Sequence, residues 1–351
     1  MTRPESLRLV RHDPPTAPGP GDSAPAAPSV GTVLYIAGYG RSGSTALSIV
    51  LGTHRDMAAV GELTHLLDDW SAPNRACACG RAYPACPFWG DLFASPPGPS
   101  LSDTIRRIDS SRLPAVLRTA PGSASDRRAY RDVQRAILAH VRARTGKAIV
   151  VDSSKSARRA AGRVWALTRL AGEDVYLLHL VRSGLATVES LVRTGDNWAL
   201  EGHTPLGRLT ASRVALGWLR TNLWVSLLGR LVGPERYRRM RYEDFLADPA
   251  TSLRTIGAFL RVDVEELVTR VQRADEFVVS HVVGGNRLRM QRAVRLWHPA
   301  AAAAPGSAPA LLERDRRRFL ALAGWLEHRY GYRGGTGAAP AGRAPAGPSE
   351  S

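Results

Sequence analysis

Short unbroken apolar runs alternate along this chain with longer stretches of helical period. VLYIA (Val33–Ala37) ends in glycines, and similar runs stand at Met57–Val60, Lys147–Asp152 (KAIVVD) and Val175–Val181 (VYLLHLV). A strand covered by helices on both faces needs apolar side chains on both. Such runs therefore predict buried strands of a parallel sheet. Tyr237–Arg241 adds a further short strand. STALSIVLGTH follows the loop GYGRSG as a helix, and a long amphipathic segment runs from about Gly207 to Leu231. Asp248-Pro249 reads as an N-cap with proline at the first helical position, opening the helix ATSLRTIGAFL. Leu311–Tyr330 reads as the closing helix. Strands alternating with helices predict a three-layer α/β domain around a central parallel sheet. Thr64–Gly146 shows helices and no clear sheet strand, which predicts a mainly helical insertion or cap over residues 64–146.

Composition sets the limits of this domain. Residues 1–30 and 334–351 are dominated by Pro, Ala, Gly and Ser, cannot bury enough apolar surface to offset their ordering entropy, and read as disordered tails. His298–Pro309 has the same character and reads as an internal loop. The ordered domain is then 31–333, and at 44% hydrophobic residues in a 351-residue chain it can build one large core. No apolar run approaches the roughly 18 residues of a membrane span. The N-terminal arginines are followed by Pro, Ala, Gly and Ser where a secretory signal needs an apolar run, so the expected location is cytoplasmic.

The formal charge is +17, and all 48 basic residues except Lys147 and Lys155 are arginine. Beside so much Ala, Gly and Pro, part of that charge is compositional bias. The remainder favours an anionic partner such as a nucleotide, a sulfated or phosphorylated substrate, or nucleic acid. The arginines are spread along the chain and no helix-turn-helix, zinc finger or RNA-binding signature appears, so nucleic acid is not the expected partner.

Gly38-Tyr39-Gly40-Arg41-Ser42-Gly43-Ser44-Thr45 lies between a buried strand and a helix, the context of a phosphate loop. Glycines let backbone N–H groups converge on an anion, the helix N-terminus adds partial positive charge, and Arg41, Ser44 and Thr45 add donors. A nucleoside-triphosphatase loop would read GxxxxGK[ST], but the lysine position is Gly43, and no partner carboxylate for Mg²⁺ stands out. A nucleotide kinase or ATPase is disfavoured.

RSGST after a strand resembles the 5′-phosphosulfate loop of sulfotransferases that use 3′-phosphoadenosine 5′-phosphosulfate (PAPS). LVRSGLATVESLVR resembles the family's 3′-phosphate motif, with Arg182 at a strand end and Ser190 on the following helix. VDSSK (Val151–Lys155), RYEDFLADP and HVVGGNRLR (His281–Arg289) match further family segments in the right order, over roughly Val33–Tyr332. The chain is most similar to the bacterial group related to carbohydrate and tyrosylprotein sulfotransferases. The resemblance implies a P-loop-like fold, PAPS as co-substrate, no metal in the chemistry, and a small-molecule or glycan acceptor. It implies in-line transfer of the sulfuryl group to a hydroxyl or, as the lesser alternative, an amine.

On that resemblance Arg41, Ser42, Gly43, Ser44 and Thr45 hold the 5′ end, and Arg182 and Ser190 hold the 3′-phosphate. Lys155 is the second cation, a compact ammonium suited to a leaving bridging oxygen. Glu62, in AAVGEL, is the expected base; working near neutral pH calls for burial to raise its pKa, which nearby arginine would oppose. His65, His54 and His281 rank below it. In the GGNRLR loop Asn286 shapes the turn, and Arg289 rather than Arg287 has the spacing to cover the phosphates. Cys77, Cys79 and Cys86 are read as packing residues or a local disulfide, in preference to a metal site completed by a residue such as His65. Thr194–Gly207, with Trp198 and His203, and the insertion are expected to wall the acceptor pocket. Two other readings stand beside the enzyme: a basic nucleic-acid-binding protein, and an inactive relative that only binds nucleotide.

Overall fold

The computed structural model describes residues 31–112, 121–155, 160–194, 211–296 and 312–332. The two expected tails, the loop at 298–309, Trp198 and His203 lie outside the described residues.

The chain begins with β1 (Thr32–Ala37), turns through the glycine loop into α1 (Ser44–Gly52) and continues to β2 (Met57–Gly61). The return to β3 (Ile149–Asp152) passes α2 (Pro99–Ser110) and α3 (Ala124–Thr145). Then come β4 (Asp174–Val181), α4 (Gly184–Thr194), α5 (Ala211–Val232) and β5 (Tyr237–Arg241). α6 (Tyr242–Ala247), α7 (Pro249–Leu260) and α8 (Glu265–Gln272) lead to a ribbon of β6 (Phe277–Val278) and β7 (Ala293–Val294), ahead of the closing helix α9 (Glu313–Arg329).

β1 to β5 form one parallel sheet in the order β2-β3-β1-β4-β5. Val33 is in register with Val150 on one side and Val175 on the other, and Leu180 of β4 pairs with Met240 of β5. The apolar runs are explained by what covers them. Val33, Tyr35 and Ala37 face a core built with Tyr130, Ile137 and Val141 of α3 and Val225 of α5. Leu34 and Ile36 face the opposite core, built with Leu47 and Val50 of α1 and Ile256 of α7. Helices on both sides of one parallel sheet make the expected three-layer α/β fold.

The segment expected to be an insertion divides in two. α3 is the crossover helix between β2 and β3 and forms part of a main layer, its N-terminus closed by a Ser123–Asp126 capping box. The part before it, from Leu63 to Ser111, holds short helices and irregular chain, with Trp70, Tyr83, Trp89 and Phe93 buried in the core under α3. The α7 start is as expected: Asp248 accepts from the Thr251 N–H at 3.0 Å, with Pro249 at the first position.

β1 lies at the centre of the sheet, and the chain leaves it toward β2 while β4 lies on its other side. In open α/β sheets that reversal opens a crevice outside the carboxyl ends of the strands, where ligands bind. Every strand end named in the motifs points there: Gly38, Glu62, Ser153, Arg182 and Tyr242 each begin the chain after a strand.

Candidate active site

The glycine loop between β1 and α1 is tight, and three positions show why. Gly38 has φ +147 with the Leu180 carbonyl oxygen 2.3 Å from where a Cβ would stand. Gly43 has φ +81, and a Cβ there would lie 2.1 Å from the Tyr242 ring. The position that would carry lysine in a triphosphatase loop is thus filled by an aromatic face. Arg41 itself takes φ +70, a left-handed conformation rare for a side-chain-bearing residue and concentrated at functional sites. α1 opens with no side-chain cap and no acidic residue in its first turn, so its leading N–H groups are available to an anion. Ser42 and Thr45 are buried; the Ser42 hydroxyl donates to Tyr39 O at 2.8 Å, and Thr45 Oγ1 accepts from the Asn286 N–H at 3.4 Å.

Beside this loop, Glu62, Lys155 and His65 meet. Lys155 Nζ is ion-paired with Glu62 Oε1, and His65 Nε2 stands 3.5 Å from the other carboxylate oxygen. The pair is enclosed, with side-chain exposures of 12% for Glu62 and 19% for Lys155. Gly285, one residue before Asn286, passes over both parts: a Cβ on it would be 3.3 Å from Thr45 Oγ1 and 3.7 Å from Glu62 Oε1. Burial pushes the Glu62 carboxyl up, but the Lys155 ammonium and the His65 ring outweigh it and hold the pKa at about 2. The expected rise is therefore reversed. The opposing group is the Lys155 ammonium, with the His65 ring beside it, rather than an arginine.

Lys155 is presented by a second strained turn, at φ +62. The Tyr35 hydroxyl donates to Lys155 O, the Ser153 N–H to Gly61 O at 2.8 Å, and the Ser154 N–H to Asp152 Oδ1 at 2.9 Å. Behind the turn lies a buried polar network. Arg163, 1% exposed, donates from Nε to Asp152 and from Nη1 to Asp109, both at 2.9 Å, and from Nη2 to Gln134 at 3.1 Å. The Tyr130 hydroxyl completes it on Asp109 at 2.7 Å. With its fork saturated by two carboxylates, Arg163 fixes the end of β3 from below.

Arg182, at the end of β4, donates from Nη1 to Arg41 O at 3.0 Å and lies 5.3 Å over the Tyr242 ring. Its own carbonyl accepts from Trp218 Nε1 at 3.0 Å. Ser190 is buried two turns into α4. The start of α4 is capped from a distance: Glu327 of α9 accepts from the Ser183 hydroxyl at 2.6 Å and the Gly184 N–H at 3.0 Å, and Glu243 accepts from the Ser183 N–H at 2.9 Å.

Thus the structure brings together Arg41, Ser42, Gly43, Ser44, Thr45, Glu62, Lys155, Arg182 and Asn286, and adds His65. Asn286 Oδ1 accepts from the Leu288 N–H at 3.3 Å, which shapes the turn as expected of it. Arg287 is exposed, whereas Arg289 is buried and donates to Ala76 O at 2.8 Å. Two of the alternative bases are elsewhere. His54 precedes β2, at the opposite end of the sheet, with Nε2 2.7 Å from Asp263 O. His281 sits among the cysteines. Those cysteines form no disulfide: all three are free, Cys79 and Cys86 Sγ being 3.7 Å apart, and the residue that joins them is His281, not His65.

Tyr242, Asp152, Arg163 and Glu327 went unassigned in the sequence. Tyr242 and Asp152 lie inside matched segments, RYEDFLADP and VDSSK, so a signal was present. Arg163 and Glu327 lie in ordinary helical stretches, and only the fold pairs them with their partners.

Residues 34–266 match the sulfotransferase family, well over half of the chain. Among solved structures, the chain is similar to the sulfotransferase domain of the Synechococcus PCC 7002 olefin synthase, at 21% identity and a TM-score of 0.45, over 88% of this chain and 98% of that one. It is also similar to the sulfotransferase domain from the curacin biosynthetic pathway, at 20% identity and a TM-score of 0.46, over 84% and 98%. A third similar structure is sulfotransferase STF9 from Mycobacterium avium, at 17% identity and a TM-score of 0.41, over 70% and 68%. No curated protein matches the chain. Among the described residues no helix is long and apolar enough to cross a membrane. The phosphate-loop geometry and the extent of the match lead to one conclusion: the chain belongs to the sulfotransferase family.

Proposed function

We propose that this protein, acting in the cytoplasm, moves the sulfuryl group of PAPS to a hydroxyl, or less readily an amine, of a small-molecule or glycan acceptor. The observation that carries this reading is the meeting of Glu62 and Lys155 beside the loop of Arg41 to Thr45, with Arg182 bonded to that loop's backbone. Sulfuryl transfer in line needs fixed donors for the sulfuryl oxygens, a cation at the leaving oxygen and a base for the acceptor. The loop N–H groups and Arg41 supply the first, Lys155 the second and Glu62 the third. Arg182 and Ser190 are assigned to the 3′-phosphate, and the loop of Asn286 and Arg289 to covering the donor. The acceptor oxygen bonds to sulfur as the bridging oxygen departs with its electron pair on the nucleotide phosphate, and Glu62 takes the acceptor proton. In the ion pair Glu62 is too weak a base for this. A phosphate drawing the Lys155 ammonium toward itself would leave burial to raise the carboxyl, so that base strength rises only with donor in place.

Thermal stabilisation by 3′-phosphoadenosine 5′-phosphate, compared with ADP and AMP, tests the donor assignment. At a hundred times its Kd a ligand adds about 2.7 kcal/mol, and the shift should be confined to the 3′-phosphorylated nucleotide. Equal shifts with all three would leave a general nucleotide site and remove Arg182 and Ser190 from it. Glu62→Gln should bind that nucleotide but lose about 10²–10⁴-fold in turnover with PAPS and an accepted hydroxyl compound. Full turnover in that variant would overturn the base assignment.

A further inference from the structure

The irregular chain before α2 and the loop before Asn286 meet at a group of side chains that the transfer reaction does not use. Cys77, Cys79, Cys86 and His281 place their ligand atoms all within 4.8 Å of one another. His281 Nδ1 is 3.2 Å from Cys86 Sγ and 3.6 Å from Cys77 Sγ, and Cys79 and Cys86 Sγ are 3.7 Å apart. A disulfide needs about 2.05 Å between sulfurs, so this is not one. Zinc–sulfur bonds of about 2.3 Å at tetrahedral angles set sulfurs about 3.8 Å apart, and the somewhat shorter zinc–nitrogen bond brings nitrogen closer still. The three separations of 3.2, 3.6 and 3.7 Å are close to those of a tetrahedral site, and the remaining pairs lie within 4.8 Å.

The surroundings hold the ligand residues in place. Each cysteine segment turns tightly enough to aim its sulfur inward. The Gly80 N–H bonds to Cys77 O at 2.9 Å with φ +84 at Gly80, and the Gly90 N–H bonds to Cys86 O at 2.8 Å. The His281 ring is fixed by stacking on Phe88, 5.2 Å between centroids and 7° from parallel, and its backbone oxygen accepts from Trp89 Nε1 at 2.9 Å. Such outer contacts orient metal ligands.

We propose that Cys77, Cys79, Cys86 and His281 bind a structural zinc ion that fastens the glycine-rich loop to the active-site edge. Three thiolates and an imidazole select zinc over the oxygen-seeking cations, and four protein ligands leave no open position for substrate. The metal is therefore structural, and the expectation that these cysteines only pack or pair is replaced. Its effect is on position. Immediately after His281, the Val283 N–H bonds to Val60 O at 2.8 Å and Val283 O accepts from the Glu62 N–H at 2.7 Å. The next residues, Gly284 and Gly285, run against Glu62 and Thr45. The clip thus joins segments 195 residues apart in sequence at the backbone that carries the base. The Ala78 N–H to Val282 O bond, at 3.1 Å, runs alongside it.

The test is metal analysis of the full chain purified from zinc-supplemented cells, without added chelator. About one zinc per chain is expected, released in step with mercurial titration of three thiols. Cobalt exchanged into the protein should show the intense visible bands of a tetrahedral, sulfur-rich site. Cys86→Ser should lose most of the metal, whereas His281→Cys, which keeps four soft ligands, should retain it. If Cys86→Ser does not fold, the wild-type cobalt spectrum and the His281→Cys retention decide the matter. Metal-free protein with three freely alkylated thiols, or a Cys79–Cys86 disulfide found by mass spectrometry, would overturn the proposal. None of these readouts depends on sulfuryl transfer, so the clip can fail while the proposed function stands, and the reverse.

Discussion

The two sides of the site are built in different ways. On the β1 side, the loop of Gly38 to Thr45 is local: one strand, one tight turn and one helix bring its donors together within a few residues. On the β2–β3 side, Glu62, Lys155, Gly285 and the Arg163 network come from four distant parts of the chain. Both sides use left-handed backbone, at Gly38, Arg41 and Gly43 on the local side and at Gly61, Lys155, Gly284 and Gly285 on the assembled side. Only the assembled side adds an enclosed ion pair and a buried charge network. An anion cradle can be made from amides, whose dipoles are fixed by helix geometry; the proposed base and leaving-group cation are side chains that must be aimed and tuned from outside.

The comparison breaks most sharply at Arg163. Arg163→Leu removes the fork that holds Asp152 and Asp109 and leaves both carboxylates buried without their cation. Losing one partner of a buried ion pair costs about 3–5 kcal/mol, and here two pairs share the partner. Denaturant unfolding should show a loss in that range. The fraction that remains folded should still bind 3′-phosphoadenosine 5′-phosphate at the local side. A loss below about 1 kcal/mol, the scale of an exposed pair, would mean that the network does not hold the β3 end.

Gly43 is the matching break on the local side. Gly43→Ala adds a Cβ 2.1 Å from the Tyr242 ring, at φ +81. The left-handed backbone alone costs about 1–2 kcal/mol for a residue with a Cβ, and displacing the ring adds to it. Nucleotide binding should weaken more than global stability, because the ring also lies under Arg182. The double variant Gly43→Ala, Tyr242→Ala separates the two causes. It should recover the clash but not the backbone cost, and full recovery would show that the φ requirement is not real.

The same division governs what could be read from the sequence. Strand runs were legible because burial on both faces writes a continuous apolar signal, and the glycine loop because positive φ leaves few residue types. Glu62, Lys155 and Arg182 were legible as candidates, through motifs at strand ends. The Glu62–Lys155 ion pair was not, since no spacing rule links positions 62 and 155 across two strands. The place of α3 on the sheet depends on the crossover, not on its own pattern, so its helical period alone does not separate it from an insertion. His281 carried the same ambiguity: one histidine in a loop has no visible partner until the chain brings three cysteines to it.

The smallest effect, and the most direct on the assembled side, is the pH dependence of the Glu62–Lys155 pair. Glu62 has its pKa held at about 2 against an ordinary 4.5, mainly by Lys155 opposing burial. A carboxyl depressed in the folded state contributes stability that is present above the unfolded value and lost as pH falls through the folded one. That contribution is therefore present above pH 4.5 and disappears between 4.5 and about 2. Lys155→Met removes the ammonium, leaving burial to push the carboxyl upward. The difference in stability between wild type and variant should be largest at neutral pH and shrink as pH falls from the variant's raised Glu62 pKa to about 2, below which Glu62 is protonated in both proteins. Carbon NMR of the Glu62 carboxyl should show its titration moving up in the variant. An unchanged titration, with a pH-independent difference in stability, would mean that Lys155 does not set the ionisation of Glu62. The two sides of the site would then differ only in how their chain is folded, and not in how their charge is controlled.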